Sequence, residues 1–252
     1  MWRYTGSWCS TMVTVELDLL GLNDSDWLLD AGCGEGRHVW EACKRNHSHV
    51  IAFDIDIESL RKAKYTLSLL SQKGEVNGNC HLLQADINRL PFKDGAFNKI
   101  ICSEVLEHMP HDGEVVGELV RVLRGDGAIG VSVPHHLAES VCWRLSRDYY
   151  GFPGGHIRIY KTEQVIKLLR SQGLSIYAIC RNHALHSFYW ILRCLFGLKK
   201  EKALVPSLYY KLLVLDINNE RHIHRWFEDL LNLIIPKSVV IYARRKECTS
   251  PR

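Results

Sequence analysis

Short apolar runs recur along the first half of the chain and alternate with segments of helical periodicity. The runs are WLLDAG (27–32), HVIAFDID (49–56), HLLQADI (81–87), NKIICSE (98–104) and AIGVSVP (128–134). Runs of this length, apolar on both faces, are typical of parallel strands covered by helices on each side. We therefore predict five buried parallel strands in this half.

Two of the intervening segments have apolar residues at helical spacing. These residues are Leu60, Ala63, Leu67 and Leu70 within 58–72, and Val115, Leu119, Val122 and Leu123 within 113–123. Such spacing places the apolar side chains on one face of a helix. Strands that alternate with helices predict a doubly wound α/β sheet.

The alternation breaks after Pro134. A stretch rich in His, Arg and aromatic residues (135–160) precedes a predicted helix at 162–172, with Thr162 as its N-cap, and a strand at 174–180. A second insertion covers 184–235, and SVVIYARR (238–245) supplies a last strand.

These elements predict one domain over 1–252 with a mostly parallel, seven-stranded sheet and helical insertions near its C-terminal part. The predicted parts are an N-terminal helical lead-in (1–26), a cofactor-binding half (27–134), and two acceptor-side insertions (135–160 and 184–235). In open α/β sheets, ligands bind at the carboxyl ends of the strands, where these insertions emerge.

Composition narrows the class of protein. With 46% hydrophobic and 24% charged residues the chain has the composition of a globular domain. A net charge of +4 gives no strong nucleic-acid signal. The nine cysteines form no C-x-x-C pair, which favours reduced thiols. Without a signal-like N-terminus or a long apolar run, we expect a cytoplasmic protein.

LLDAGCGEGRH (28–38) places three glycines directly after a predicted strand and before a helix. This arrangement brings backbone N–H groups and a helix N-terminus against a ligand, which side chains would block. The spacing differs from the dinucleotide pattern G-x-G-x-x-G, because Arg37 stands where the third glycine would be. A tight turn and a nicotinamide or flavin site remain alternatives.

Carboxylates follow the predicted strands near this loop. Asp54 lies twenty residues after Gly34 at a strand end, where it can accept both hydroxyls of a ribose. Asp30 and Asp86 suit a nucleoside that carries an ammonium group and no pyrophosphate. Asp86 can instead cap the turn after its strand. Asp56, beyond the strand end, is interpreted as a spectator.

Four motifs in order, LLDAGCGEGRH, AFDID, LLQADINRLPF and FNKIICSEVLEHMP, resemble the class I S-adenosylmethionine-dependent methyltransferases, particularly the type 11-like group that methylates small molecules. The resemblance implies that Asp30 and the glycine loop hold the methionine end, Asp54 the ribose, and Asp86 with Ile87 the adenine. The implied cofactor-binding residues are Asp30, Ala31, Gly32, Cys33, Gly34, Gly36, Asp54, Ile55, Asp86, Ile87, Ser103 and Glu104.

The predicted function is methyl transfer to a small-molecule acceptor, with a hydroxyl, on an apolar or aromatic compound, as the preferred target. A hydroxyl acceptor requires a general base, and histidine titrates near the working pH. The candidates are His156, for which a structural hydrogen bond is the alternative, and His135; both His135 and His136 are weaker candidates than His156. Other possibilities are N- or C-methylation, including RNA, and a non-catalytic module that binds the cofactor.

The run SEVLEH (103–108) raises the question of a metal. Glu104, Glu107 and His108 share a helix face at spacings of three and four residues. In some methyltransferases a similar element binds a divalent metal with a later histidine, for which His156 is the candidate. We favour the alternative, in which Glu107 and His108 orient the loop and no metal is bound.

The aromatic segment LHSFYWILRCLFGL (185–198) is followed by Lys199, Lys200 and Lys202. It is too short to span a bilayer. An amphipathic helix here can make peripheral membrane contact through 185–202 or cover an apolar acceptor, and we favour a helix that packs on the sheet domain. RHIHRW (221–226) has the letters of a metal tract, but a solvated helix face is favoured. Oligomeric state is not predicted.

Overall fold

A computed structural model describes residues 13–45, 49–151, 155–198, 203–218 and 223–246. Seven strands form one sheet: β1 Trp27–Ala31, β2 His49–Asp54, β3 Asn79–Gln84, β4 Phe97–Ser103, β5 Leu123–Pro134, β6 Leu174–Asn182 and β7 Ser238–Arg245. Their order is β3-β2-β1-β4-β5-β7-β6. β7 runs antiparallel to both neighbours and all other adjacent pairs are parallel, so the predicted sheet is confirmed.

Helices cover the sheet and fill the two insertions. They are α1 Leu17–Leu20, α2 Arg37–Arg45, α3 Ile57–Gln72, α4 Asp112–Val122, α5 His136–Leu145, α6 Thr162–Ser171, α7 Ala184–Phe196, α8 Leu204–Asn218 and α9 Ile223–Asn232. Single 3₁₀ turns lie at Leu106–His108 and Arg147–Tyr149. None of the helices within the described ranges is long and apolar enough to cross a membrane.

Successive residues of the central strands point into different cores. Leu29 of β1 and Ile100 of β4 belong to a core formed with α4 and α6. Leu28 and Ile101, next to them in sequence, belong to a second core formed with α1, α2 and α3. Because strand side chains alternate between faces, a sheet covered on both sides requires apolar residues at every position.

Some predicted boundaries change. β5 starts at Leu123, directly after α4, and not at residue 128. The assignment of Thr162 as N-cap is wrong: Thr162 is the first residue of α6, and Lys161 occupies the cap position. The reason is local, because the backbone N–H of Lys161 donates to the Gln164 side chain at 2.7 Å.

The register brings several strand ends to one edge of the sheet. Ala31 pairs with Phe53, and Ser103 pairs with Ser132. Pro134 of β5 and Asn182 of β6 both pair with Ser238 of β7, so β6 ends at this edge too. The glycine loop, Asp54, Glu104 and the starts of both insertions therefore share one edge.

Candidate functional site

Each of the three loop positions requires glycine for a different structural reason. Gly32, Gly34 and Gly36 all adopt positive φ (73°, 51° and 88°), which glycine tolerates without strain. A Cβ on Gly32 would lie 2.5 Å from Val105, and one on Gly36 would lie 3.0 Å from Trp40. A Cβ on Gly34 would meet nothing within 4 Å. Two glycines thus permit close packing, and Gly34 borders open space.

Backbone N–H groups of the loop bond within the protein. Those of Gly32 and Cys33 donate to the Phe53 carbonyl, and that of Gly36 donates to the Cys33 carbonyl, all at 2.9 Å. The N–H of Gly34 donates to Asp54 Oδ2 at 2.8 Å. These four groups therefore fasten the loop to β2 and to itself, and the expectation that backbone N–H groups of the loop face a ligand stays a prediction.

Asp30 is the buried acid of the loop. Its side chain is 1% exposed, and neither carboxylate oxygen has a hydrogen-bond partner among the described residues. Burial, helped by the Asp54 carboxylate and opposed by Arg37, raises the pKa of Asp30 to about 7. A carboxylate buried without a partner is destabilising. A binding role for Asp30 stays a prediction, and its buried carboxylate, without a partner among the described residues, is compatible with it.

Asp54 and Asp56 differ in role although they are two residues apart. Asp54 lies at the end of β2, and its two oxygens accept from the N–H groups of Gly34 and Asp56. Asp56 is exposed and caps α3 by accepting from the N–H groups of Glu58 and Ser59. Asp54 thus fixes the glycine loop at the edge, and Asp56 has a helix-capping role.

Asp86 caps the turn after its strand, which is the alternative to a role in binding. Its Oδ1 accepts from the backbone N–H of Asn88 at 2.9 Å and from the Asn88 side chain at 2.7 Å. Ile87 is buried in the core that lies under α4. A role for either residue at an adenine stays a prediction.

The ends of β4 and β5 carry a polar chain that includes Ser132, a residue not singled out from the sequence. The hydroxyls of Ser103 and Ser132 lie 2.8 Å apart, and that of Ser132 donates to Glu104 Oε1 at 3.3 Å. Glu104 has a left-handed φ of 56°, which is uncommon outside glycine. This turn aims the Glu104 carboxylate back at Ser132.

His156 lies against the carboxylate of Glu139, which was not predicted from the sequence. Its Nδ1 is 2.5 Å from Oε1 of Glu139 on α5, and its Nε2 is 4.0 Å from Glu107 Oε1. Trp143 also donates to Glu139, at 2.9 Å. Burial acts to raise the pKa of Glu139, but His156 and Lys237 outweigh it and the pKa falls below its usual value. The signal in the sequence is the position of Glu139 on the apolar face of α5.

Three of the four predicted metal ligands come together. One ligand atom each from Glu107, His108 and His156 lies within 4.8 Å of the others. Glu107 is 1% exposed, and both of its oxygens are without a hydrogen-bond partner in the described part of the chain. Burial and the Glu104 carboxylate raise its pKa well above the usual value. The carboxylate of the fourth, Glu104, accepts from Ser132 instead.

His135, the other candidate base, is buried at the start of α5. It is 5% exposed, and its backbone N–H donates to the Lys237 carbonyl at 2.9 Å. Burial, with smaller contributions from His136 and Arg181, lowers its pKa to about 4. A buried imidazole of such low pKa is a poor acceptor for a proton near neutral pH.

Arg158 and Tyr160 hold the segment after His156 in place. Arg158 donates to Asp112 at 2.6 Å and to the carbonyls of Met109 and Pro110 at 2.7 and 2.8 Å. Tyr160 also donates to the Asp112 carboxylate. Both residues thus have a structural role, because their contacts anchor the loop that carries His156.

The aromatic segment forms α7 and packs on its neighbours. The Trp190 ring lies 5.8 Å from that of Tyr149, and Tyr209 of α8 donates to the Leu185 carbonyl at 3.0 Å. Leu195 and Phe196 at its end are exposed. Lys199, Lys200, Lys202, Arg221 and His222, with the side chains of 223–226, lie outside what the structure describes.

A family profile described as a methyltransferase domain matches residues 22–173, which is more than half of the chain. The chain belongs to this family. The matched part contains the whole glycine loop, Asp54, the Glu107 cluster and the Glu139–His156 pair. The family match confirms the class predicted from the four motifs, that of S-adenosylmethionine-dependent methyltransferases.

Curated methyltransferases are similar over part of their length. A probable S-adenosylmethionine-dependent methyltransferase of Mycobacterium tuberculosis is 30% identical over 61% of this chain and 50% of its own. The 27-O-demethylrifamycin SV methyltransferase of Amycolatopsis mediterranei is 29% identical over 45% of this chain and 40% of its own. The chain thus matches about half or less of these relatives.

The fold is shared with solved methyltransferase structures. A geranyl diphosphate methyltransferase in complex with S-adenosylmethionine superimposes with a TM-score of 0.61, at 15% identity, over 91% of this chain and 82% of that one. At this identity the likeness shows the fold, and the site has to be argued from this methyltransferase's own residues.

The methyltransferase site fits S-adenosylmethionine in two respects. The unpartnered carboxylate of Asp30 is the group that an ammonium would satisfy. The open space beside Gly34 adjoins Asp54, whose oxygens can each accept a further hydrogen bond from a ribose hydroxyl. Asp30 and Asp54 would hold the cofactor, which supplies an electrophilic methyl group when bound.

Proposed function

We propose that this chain methylates a hydroxyl group of a small apolar or aromatic molecule, with His156 as the general base. The observation that carries the proposal is the contact of His156 Nδ1 with Glu139 at 2.5 Å. When Nδ1–H donates to the buried carboxylate, the lone pair of Nε2 is left to take a proton. Glu139 also stabilises the imidazolium that this transfer forms.

Each group of the chain then has a distinct task. Asp30 and Asp54 orient the cofactor, and Arg158 holds the loop that positions His156. Nε2 of His156 accepts the proton of the acceptor hydroxyl as the oxygen attacks the methyl group. Because the displacement is in line, most of the rate enhancement comes from this alignment and from excluding water.

Aromatic side chains beside His156 support an apolar acceptor. The Tyr149 ring lies 6.1 Å from that of His156, and Trp190 packs on Tyr149 from the other insertion. The name of one relative, a 27-O-demethylrifamycin SV methyltransferase, is consistent with an oxygen acceptor on a small molecule. We infer that α7 covers the acceptor and does not rest on a membrane.

The test compares three variants of the full chain on a panel of phenols and aliphatic alcohols. We expect His156→Asn to lower kcat/KM by at least about 100-fold, which is the usual contribution of a general base. Glu139→Gln should lower it less and shift the acid limb of the pH profile. His81→Asn, an exposed histidine on β3, is the matched control. Affinity for S-adenosylhomocysteine should stay unchanged in all three.

Wild-type rates in His156→Asn would refute the base. Cofactor binding with no product from any acceptor would favour the non-catalytic module. Filter binding to RNA that weakens steeply with salt would favour a nucleic-acid substrate.

A second candidate uses the same histidine differently. Glu107, His108 and His156 can hold a divalent cation that polarises the acceptor hydroxyl. The lone pair of Nε2 cannot bind a metal and accept a proton at once. Removal of metal ions with a chelator therefore distinguishes the metal mechanism from the free base. Activity that survives treatment with EDTA supports the free base, and activity restored only by added Mg²⁺ or Mn²⁺ supports the metal.

We also retain a cytoplasmic location as part of the proposal. The seven described cysteines are free, which is compatible with a reducing compartment. Recovery of the protein in the supernatant after co-sedimentation with anionic liposomes would support the absence of peripheral membrane contact.

A further inference from the structure

A second cluster of imidazole and carboxylate groups lies where β6 ends. His183 follows β6 as the N-cap of α7, and His186 lies three residues further on, in the first turn. Glu228 comes from α9. One ligand atom from each of these three residues lies within 4.8 Å of the others. None of the three belongs to the proposed base, its partner or the cofactor-binding loop.

Each histidine of this cluster has one buried ring nitrogen that makes no hydrogen bond within the described residues. His183 Nε2 and His186 Nδ1 are buried, and among the described residues neither has a hydrogen-bond partner. Hydrogen bonding to the Val13 backbone acts to raise the pKa of His183, and since Nε2 has no partner among the described residues, Nδ1 is the nitrogen that can donate it. Metal-bound histidines are characteristically held by such a bond from the second nitrogen.

The backbone holds the three donors together. His183 has a left-handed conformation (φ 66°, ψ 38°), which a non-glycine residue keeps only where its surroundings enforce it. Asn232, one helical turn after Glu228, accepts from the N–H of Ala184 at 2.9 Å. This bond ties α9 to the first turn of α7, so the position of Glu228 beside the two histidines follows from the fold.

We propose that His183, His186 and Glu228 bind a divalent transition metal ion, with Zn²⁺ the best match, at the corner between β6 and α7. Two imidazoles and one carboxylate suit Zn²⁺, whereas Mg²⁺ and Ca²⁺ prefer sites made of oxygen ligands. Three protein ligands leave a fourth position of the tetrahedron open. The ion would fasten α9 to the sheet edge.

Charge and protonation are compatible with this assignment. Burial, followed by nearby positive charges, lowers the pKa of both histidines to about 4, so both imidazoles are neutral near pH 7. Arg37 and Lys237 contribute to that effect, and their charge also opposes a cation. Glu228 is the anionic ligand that offsets them. Loss of its charge should therefore weaken binding strongly.

The experiment measures Zn²⁺ binding to the metal-stripped full chain by competition with a chromophoric chelator. Because the Glu107 cluster can also take an ion, the background is His156→Asn, which removes one of its ligands. In this background we expect one equivalent of Zn²⁺. His183→Asn and Glu228→Gln should each weaken its binding by at least about 10-fold to 100-fold, as the loss of even an outer-shell partner does.

Two further measurements keep the result interpretable. Glu228→Gln conserves size, and circular dichroism checks that its fold is intact, so a loss of binding is not a loss of structure. Zn²⁺ should raise the Tm of the background protein but not that of Glu228→Gln. If the His156→Asn protein binds no Zn²⁺, or if both further variants bind Zn²⁺ as tightly as it does, the proposal is overturned, whatever the outcome for methyl transfer.

Discussion

Substitution of Asp30 by Asn is expected to stabilise the protein and to impair cofactor binding at the same time. The two side chains have nearly the same shape, but asparagine cannot ionise. Asp30 is 1% exposed and has no hydrogen-bond partner for either oxygen among the described residues. Its negative charge therefore destabilises the ligand-free protein, and a bound cation can offset this destabilisation.

The size of that cost follows from the pKa. In the folded protein the pKa of Asp30 is about 7, compared with an ordinary value of 3.8. Since one pKa unit corresponds to about 1.4 kcal/mol, ionisation costs up to about 4 kcal/mol of folding free energy. The sign is clear. Below the ordinary value both states are protonated, and as pH rises to about 7 the unfolded chain releases a proton that the folded protein retains. Stability falls over this window.

Urea unfolding at several pH values tests the first half of the prediction. Asp30→Asn should match the wild type at about pH 4 and exceed it by up to about 4 kcal/mol at about pH 8. Asp56→Asn is the control, because this exposed carboxylate caps α3 and asparagine caps equally well. We expect no pH-dependent gain in the control.

Titration calorimetry with S-adenosylhomocysteine tests the second half. Removal of one partner from a buried charge pair costs about 2–5 kcal/mol, so affinity should fall by at least about 30-fold. Asp56→Asn should bind normally. A variant that is no more stable than the wild type at about pH 8, yet binds the cofactor equally well, would refute the assignment of Asp30 to the ammonium group.

Three further predictions concern the surroundings of the site. Gly32→Ala should lower the free energy of unfolding in urea by about 2 kcal/mol or more, because its Cβ would lie 2.5 Å from Val105 at a positive φ. Gly34→Ala should lower it by only about 1–2 kcal/mol, through backbone strain, but should weaken cofactor binding in calorimetry. Arg158→Lys cannot reproduce the three contacts, so thermal unfolding should show a loss of about 1–3 kcal/mol with unchanged cofactor affinity. Burial and, to a smaller extent, Arg37 lower the pKa of His38 to about 3. As pH decreases below about 6.5, the unfolded chain therefore takes up a proton that the folded protein does not, and the free energy of unfolding should fall. This fall should be less steep in His38→Gln.

The sheet and its ligand edge were predictable because they follow from periodicity. Apolar residues at successive positions such as Leu28 and Leu29 require two covered faces, and the structure assigns these two residues to separate cores. Asp30 and Asp54 were predictable as a pair, since parallel strands place their carboxyl ends together. The same reasoning could not show that Gly34 alone of the three loop glycines borders open space, because that depends on Val105 and Trp40 from elsewhere in the chain.

The partners of the site's side chains were harder to predict. Glu139 lies seventeen residues before His156, and their contact depends on how α5 packs over the sheet edge. Ser132 is one of several small residues in β5, and its role appears only when β4 lies beside it. His183 and Glu228 are 45 residues apart, so the sequence pattern that drew attention to 221–226 missed the pairing.

The carboxylates at this edge of the sheet differ in their hydrogen-bond partners and in their pKa, and these differences indicate different roles. Asp30 and Glu107 are buried without hydrogen-bond partners in the described structure, and the pKa of each is raised. Glu139 is as deeply buried, but His156 and Lys237 hold its pKa below the usual value. A carboxylate that is already paired serves best to orient a base, and one that lacks a partner serves best to bind a ligand. On this reasoning we propose Glu139 for proton transfer and Asp30 for the cofactor. Glu107 becomes a metal ligand only if an added cation is shown to bind beside His156.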